Sequence, residues 1–191
     1  EYDREKAKAL CASIRNYDNI VFEGHSTDYQ TKIKLRELVE DGVAILKVGP
    51  GLSFAMREAL FALAHIENVL FKEKSSHLMD VLEEEMLKEP KYWQKHYVGT
   101  EEEIALKRKY SFSDRCRYYM PNDKVAQARE TMIQNLRKTG VPLNLLSQFM
   151  PIQYTKVREG VLVNDPEELI VDRIGNTVDE YLYATHQKEL F

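Results

Sequence analysis

Residues 20–54 read IVFEGHSTDYQTKIKLRELVEDGVAILKVGPGLSF, and this stretch decides the fold class. The β-prone runs 20–22 and 43–48 are separated by a segment whose apolar residues recur at helical spacing. A long and very apolar helix is predicted to follow over 54–71, with Ser53 as its N-cap. Because strand, helix, strand and helix follow one another with short connections, the sequence predicts an α/β fold with a parallel sheet whose strands are buried.

Helical patterns dominate the rest of the chain. The pattern of residues 1–15 predicts a helix. Thr27 or Asp28 is the expected cap of the helix between the two strands. From Ser75 onward only helical periodicity is evident, and the last helix is predicted to begin at Pro166. The chain is therefore expected to combine a βαβα portion with a helical extension.

Two parallel strands do not form a stable sheet alone, and a complete (β/α)₈ barrel needs about 250 residues. We therefore expect residues 1–72 to be the last two βα units of such a barrel, with the earlier strands upstream, and residues 73–191 to be a mainly helical C-terminal extension. The alternative is a small mixed domain in which later strands have escaped detection.

Composition narrows the functional classes. Of 191 residues, 43% are hydrophobic and 30% are charged, which excludes a disordered or low-complexity chain. A net charge of -4 gives no basic footprint for nucleic acid, and no apolar run is long enough for a membrane span. Two distant cysteines, Cys11 and Cys116, and the absence of a signal peptide at the N-terminus predict a cytoplasmic protein with reduced thiols.

The loop after the second predicted strand has the residues of a phosphate site. Gly49 and Gly51 let the backbone approach a ligand closely, and the N-terminus of the next helix favours an anion. Lys47 adds a positive charge and Ser53 adds a hydroxyl donor. The alternative is that the glycines only form a tight turn and that Ser53 only caps the helix.

The end of the first predicted strand carries Glu23, His25 and Asp28. These residues are candidates for a general acid, a general base or a metal ligand, because function in parallel α/β folds lies at the carboxyl ends of strands. His25 is the candidate metal ligand, although one histidine does not make a zinc site. The alternative is a histidine hydrogen-bonded at the rim of the sheet with Asp28 as a helix cap.

A third candidate surface contains Arg115 and Arg117 beside two tyrosines. Arginine next to tyrosine is typical of surfaces that bind an anionic substrate or a partner protein. The alternative is an ordinary ion pair beside packed aromatic rings.

Five long segments resemble the C-terminal half of the non-catalytic subunit family of D-tagatose-1,6-bisphosphate aldolase, formerly labelled tagatose-6-phosphate kinase. These segments are VFEGHSTDYQT at 21–31, ILKVGPGLSFAMREALFALAHIE at 45–67, EEEMLKEPKYWQKHY at 83–97, FSDRCRYYMP at 112–121 and LLSQFMPIQY at 145–154. The resemblance extends over essentially the whole chain. It implies a class II aldolase-like barrel whose earlier strands precede Glu1.

The resemblance also implies a function. Members of this family accompany a zinc-dependent catalytic subunit in an oligomeric complex and are needed for its full activity and stability. The reaction is the retro-aldol cleavage of tagatose 1,6-bisphosphate to dihydroxyacetone phosphate and glyceraldehyde 3-phosphate, in galactitol or N-acetylgalactosamine catabolism. The zinc is expected in the catalytic partner. The alternative is that this protein is itself a metal-dependent phosphosugar aldolase or a phosphosugar-binding enzyme of the same barrel superfamily.

A more distant similarity to catalytic class II aldolases bears on the site residues. In those enzymes a strand-end histidine binds zinc and a later glycine-containing loop holds a substrate phosphate. His25 is displaced by about one position from that zinc ligand, and Gly49 with Pro50 replaces residues that contact substrate. The resemblance therefore implies phosphosugar binding by Gly49, Gly51 and Ser53 without catalysis. The sequence contains no Walker loop and no DFG motif, so a kinase activity is not expected.

Overall fold

The computed structural model describes residues 1–187, and over this range the protein is an α/β protein in which helix predominates. The α/β class predicted from the sequence is thereby confirmed. The strands are β1 (Phe22–Gly24) and β2 (Val43–Leu46), and the helices are α1 (Arg4–Ser13), α2 (Lys32–Glu40), α3 (Gly51–Phe71), α4 (Leu78–Lys88), α5 (Glu101–Tyr110), α6 (Asp123–Thr139), α7 (Leu143–Phe149), α8 (Pro151–Arg158) and α9 (Pro166–Ala184).

The two strands form a parallel pair connected through α2, which is a βαβ crossover. Phe22 pairs with Val43 and Gly24 pairs with Leu46, with an irregularity after Phe22. Leu35 of α2 is 1% exposed and Val43 is 8% exposed, so this helix covers part of the sheet. The parallel sheet expected from the sequence is present in two strands, and the described residues do not show a barrel.

The prediction that both strands are buried is wrong for the described residues. Ile20 and Val21 precede β1 and are 54% and 61% exposed, and Ile45 in β2 is 49% exposed. A fully buried strand needs elements on both faces of the sheet. A sheet of two short strands has too few neighbours to provide them, so β-branched residues remain in contact with solvent.

Helix starts follow local capping chemistry, with two corrections. Ser53, the expected N-cap of α3, lies inside this helix, because α3 already begins at Gly51. Thr31 caps α2, because residues 27–29 form a short 3₁₀ turn and neither Thr27 nor Asp28 is at the expected cap position. The start of the last helix is as predicted: α9 begins at Pro166, and the Asp165 carboxylate accepts a hydrogen bond of 2.9 Å from the N–H of Glu167.

The chain divides into two compact units. One consists of Glu1–Leu52 together with residues 175–187, and the other is Ser53–Ile174. The boundary predicted after residue 72, between barrel units and a helical extension, stays a prediction. The division into compact units falls at the start of α3. The reason is that the buried face of α3 belongs to the apolar core of the second unit.

That core is built mainly from α3, α4 and α6. Its most deeply buried side chains include Leu63, Ile66, Leu82, Met132 and Leu136. It also contains a fully buried carboxylate, Glu67, which accepts hydrogen bonds from the backbone and hydroxyl of Ser76 and from the amide of Asn135. Because each of its oxygens is satisfied, this polar group is compatible with the core. None of the helices described over residues 1–187 is both long and apolar enough to cross a membrane.

Candidate functional site

The carboxylate of Asp28 fills the glycine loop that follows β2. It accepts hydrogen bonds from the N–H of Gly49 at 2.9 and 3.0 Å and from the N–H of Gly51 at 2.8 Å. A Cβ atom on either glycine would lie 2.6 Å from an Asp28 oxygen. A side chain at either position would therefore displace this carboxylate.

The four residues predicted to bind phosphate are only partly brought together around this loop. The N–H groups of Gly49 and Gly51 bind Asp28, while the Ser53 hydroxyl donates to an oxygen of Asp114 at 3.0 Å. The Lys47 side chain is exposed, and its carbonyl accepts a hydrogen bond from the Thr27 hydroxyl at 2.8 Å. In this conformation the chain's own carboxylates use the donors that the sequence assigned to a phosphate, and phosphate binding stays a prediction.

His25 lies at the end of β1 beside Glu23. Its Nε2 is 3.4 Å from a Glu23 oxygen, and the two side chains are 59% and 46% exposed. Asp28 accepts hydrogen bonds from the glycine loop and does not bridge to His25. In the part of the chain that the structure covers, residues 1–187, no three histidine, cysteine or carboxylate side chains converge as a metal-ligand set. The catalytic and metal-binding roles considered for these residues stay untested.

Thr27 is a buried polar residue whose predicted role was that of a helix cap. It is 1% exposed, and its hydroxyl contacts both the Lys47 carbonyl and the hydroxyl of Tyr181 in α9, at 2.8 and 2.9 Å. Burial raises the pKa of the Tyr181 phenol above its ordinary value. No local sequence pattern predicts the contact between Thr27 and Tyr181, because the two residues are 154 positions apart.

A buried ion pair lies in the second unit. The Asp114 carboxylate accepts hydrogen bonds from Arg57 Nε at 2.6 Å, from the Ser53 hydroxyl and from the Cys116 thiol at 3.3 Å. The side chains of Arg57 and Asp114 are 3% and 0% exposed, and the guanidinium lies over the ring of Phe54 at 4.4 Å. Burial raises the pKa of the Cys116 thiol, which therefore stays protonated and unreactive.

Arg115 and Arg117 project from the same loop as Asp114 but do not share its carboxylate. Arg117 donates to the carbonyls of Ser113 and Asp114 and to the hydroxyl of Tyr118. Arg115 Nη2 lies 3.2 Å from Nδ1 of His96. Both arginines were predicted from the sequence, whereas Arg57 was not, because it lies within an apolar helical pattern.

These features define the class of the protein. It has a parallel βαβ element whose glycine loop is filled by an internal carboxylate, joined in sequence to a helical unit with a buried Arg57–Asp114 pair. Residues 1–186 match the model of the family described as D-tagatose-1,6-bisphosphate aldolase subunit GatZ/KbaZ-like. The chain belongs to this family, as the resemblance in its sequence motifs implied.

The chain is also similar to a protein of known structure. The chain is similar to the crystal structure of a probable tagatose 6 phosphate kinase from Sinorhizobium meliloti 1021, with 44% sequence identity and a TM-score of 0.90. The similarity covers 96% of this chain and 48% of that one, so the chain spans about half the length of this relative.

Proposed function

We propose that this chain is part of an accessory subunit of D-tagatose-1,6-bisphosphate aldolase, which acts together with a zinc-dependent catalytic subunit. The observation that carries the proposal is the family match over residues 1–186, because that family is described as an aldolase subunit. The reaction of the complex is the retro-aldol cleavage of tagatose 1,6-bisphosphate to dihydroxyacetone phosphate and glyceraldehyde 3-phosphate. The setting is the cytoplasmic catabolism of galactitol or N-acetylgalactosamine.

The geometry at the end of β1 supports a non-catalytic role. His25 and Glu23 are largely solvated, and a solvated pair lacks the burial that tunes catalytic acids and bases. Asp28, the third candidate, has its carboxylate committed to two backbone N–H groups. The rival function, an aldolase that binds its own metal through His25, requires further ligands from outside the described residues.

The fold supports the same proposal. We assign residues 1–72 to the last two βα units of a class II aldolase-like barrel, because β1 and β2 pair in parallel through a helical crossover. The exposed Ile45 in β2 is the kind of residue that additional strands would bury. The relative of twice the length has room for such strands.

Stabilisation by linkage is the proposed mechanism of the accessory role. If this subunit binds only the folded and zinc-loaded form of the catalytic subunit, association shifts the equilibrium toward that form. The effect grows with the concentration of free accessory subunit relative to its dissociation constant. Phosphosugar binding by the Gly49–Gly51 loop would require displacement of the Asp28 carboxylate and is a separate proposal.

The test is an assay of tagatose 1,6-bisphosphate cleavage by the full-length protein, alone and mixed with its cognate catalytic subunit, with zinc counted in each. We expect the mixture to be more active and more heat-stable than the catalytic subunit alone, and the accessory subunit to be inactive by itself. Activity of the isolated protein with about one zinc per chain would establish the rival function. Phosphorylation of tagatose 6-phosphate by ATP would instead support the kinase name carried by the relative.

A further inference from the structure

The loop that connects α5 to α6 is anchored from within the second unit. Asp114 has a left-handed backbone conformation with φ of 49°, and its buried carboxylate binds Arg57 and Ser53. The next residue, Arg115, donates its backbone N–H to the hydroxyl of Tyr97, which is 5% exposed. The backbone from which Arg115 and Arg117 extend is thus held by buried partners.

The two arginine side chains are also held in place. Arg117 donates to the Ser113 and Asp114 carbonyls at 2.6 and 2.9 Å. Both guanidinium carbons lie over the ring of Tyr118, that of Arg117 at 4.4 Å from the centroid and that of Arg115 at 5.7 Å. Tyr118 in turn stacks on Tyr92 with 5.0 Å between ring centroids. Two positive charges are therefore fixed beside one aromatic ring.

Neither charge is neutralised. Over residues 1–187, no carboxylate lies within ion-pair distance of Arg115 or Arg117, and the adjacent Asp114 is engaged by Arg57. Arg115 instead contacts Nδ1 of His96, and its Nε has no hydrogen-bond partner. By contrast, Arg108 in the same unit is paired with Glu83.

Holding two like charges close together without an anion is unfavourable, because their mutual repulsion adds to the side-chain entropy lost on fixing them. An incoming carboxylate group removes that repulsion and finds its donors already oriented, so little further entropy is lost on binding. The surface is therefore preorganised for anionic groups.

We propose that this surface, formed by His96, Arg115, Arg117 and Tyr118, binds an acidic segment of the catalytic partner subunit. The inference rests on the proposed accessory function and specifies where the partner is bound. Tyr118 is 41% exposed, which offers a partner side chain an aromatic contact next to the two charges. Arginine and tyrosine are the residues that most often dominate the binding energy of protein interfaces, whereas a free phosphate gains nothing from the aromatic face.

The test measures the dissociation constant of the full-length complex at several salt concentrations, with wild-type protein and with Arg115→Gln and Arg115→Glu. We expect Arg115→Gln to weaken association by about tenfold and Arg115→Glu to weaken it further, with a smaller salt dependence for Arg115→Gln. Arg158→Gln is the matched control, because Arg158 also lies 5.7 Å from the centroid of a tyrosine ring and donates to that tyrosine's hydroxyl. It is expected to bind as wild type does.

Three outcomes would overturn the inference. Failure of the wild-type subunits to associate at all would reject the proposed function and this surface with it. Association that Arg115→Gln and Arg115→Glu leave unchanged would reject the surface alone. A thermal shift with inorganic phosphate that only the Arg115 variants lose, with association unaffected, would identify a small-anion site instead. Thermal unfolding of each variant verifies that a loss of binding is not a loss of fold.

Discussion

Asp28 satisfies two backbone N–H groups that would otherwise have no acceptor at the start of α3. A carboxylate and a phosphate are both anions that such groups bind, and the glycine pattern is the same for either. The glycine pattern therefore does not decide between a phosphate and an internal carboxylate, because the Asp28 side chain lies 21 to 23 positions earlier in the chain.

Replacement of Asp28 tests this contact. We expect Asp28→Ala to lower the free energy of unfolding by about 1–2 kcal/mol, because the N–H groups of Gly49 and Gly51 lose their acceptor. Chemical denaturation measures the change, and Asp28→Asn, which keeps one acceptor oxygen, is expected to lose less. Inorganic phosphate should raise the melting temperature of Asp28→Ala more than that of wild type. Equal shifts would mean that the loop does not admit phosphate even when it is vacated.

Breaking the buried Arg57–Asp114 pair is expected to cost more stability than removing the Asp28 carboxylate. We expect Asp114→Ala to destabilise the protein by about 3–5 kcal/mol, because it leaves the guanidinium of Arg57 buried without its counter-charge. The double variant Arg57→Met with Asp114→Ala should recover much of that loss, since it also removes the stranded charge.

A matched comparison is Arg137→Ala in the last turn of α6, where the guanidinium pairs with Asp165 before α9 and its side chain is 43% exposed. Its effect should stay below about 1 kcal/mol because solvent screens an exposed pair. Similar losses at the two sites, measured by urea unfolding, would show that burial does not control the energy of the Arg57–Asp114 pair.

At the scale of an element, the N-terminus of α9 couples helix stability to pH. Arg137 lowers the pKa of the Asp165 carboxyl below its ordinary value of 3.8, and the N–H of Glu167 acts in the same direction. A folded-state pKa below the unfolded one contributes stability that is fully present above the unfolded value. That contribution is lost as the pH falls through the folded value.

We therefore expect the stability of the protein to fall as the pH is lowered below 3.8, with Asp165 contributing to that loss. Arg137→Gln should reduce this contribution, because the pKa of Asp165 is then lowered less. Urea unfolding of both proteins in steps from neutral to acid pH measures the difference. Parallel curves of unfolding free energy against pH for the two proteins would show that Arg137 does not lower the pKa of Asp165.

At the scale of the whole molecule, we expect the protection of backbone amides against hydrogen exchange to differ between the helical core and the two strands. The helical core contains Leu63, Ile66 and Leu82, which are all fully buried, whereas Ile45 in β2 is 49% exposed. Segments with little buried apolar surface open at low free-energy cost. We expect backbone amides in β1 and β2 to exchange with solvent much faster than those in the middle of α3, as measured by hydrogen exchange with mass spectrometry.

The same measurement bears on the proposed barrel. In a chain extended to the length of the relative, slower exchange in β2 is expected if further strands cover Ile45. Unchanged exchange in β2 would argue against the barrel, and equal protection of β2 and α3 in the present chain would contradict the uneven distribution itself.

Local patterns were enough to predict most of the elements. Hydrophobic periodicity predicted α3, α4 and α6, and the cap at Asp165 followed by Pro166 predicted where α9 begins. The shorter helices α5, α7 and α8 were not predicted. The parallel pairing followed from the order of strands and helices. The burial of the strands could not be predicted in this way, because burial depends on what covers a strand and not on the apolar residues within it.

What the sequence by itself determined is thus the α/β class, the order of most elements and the family. The tertiary structure alone decided which groups meet: Asp28 with the glycine loop, Arg57 with Asp114, and Thr27 with Tyr181 across 154 positions. The physical reason is range. Helix periodicity and capping act within one or two turns, whereas hydrogen bonds and ion pairs in the interior join residues that only the folded chain brings within 3 Å of one another.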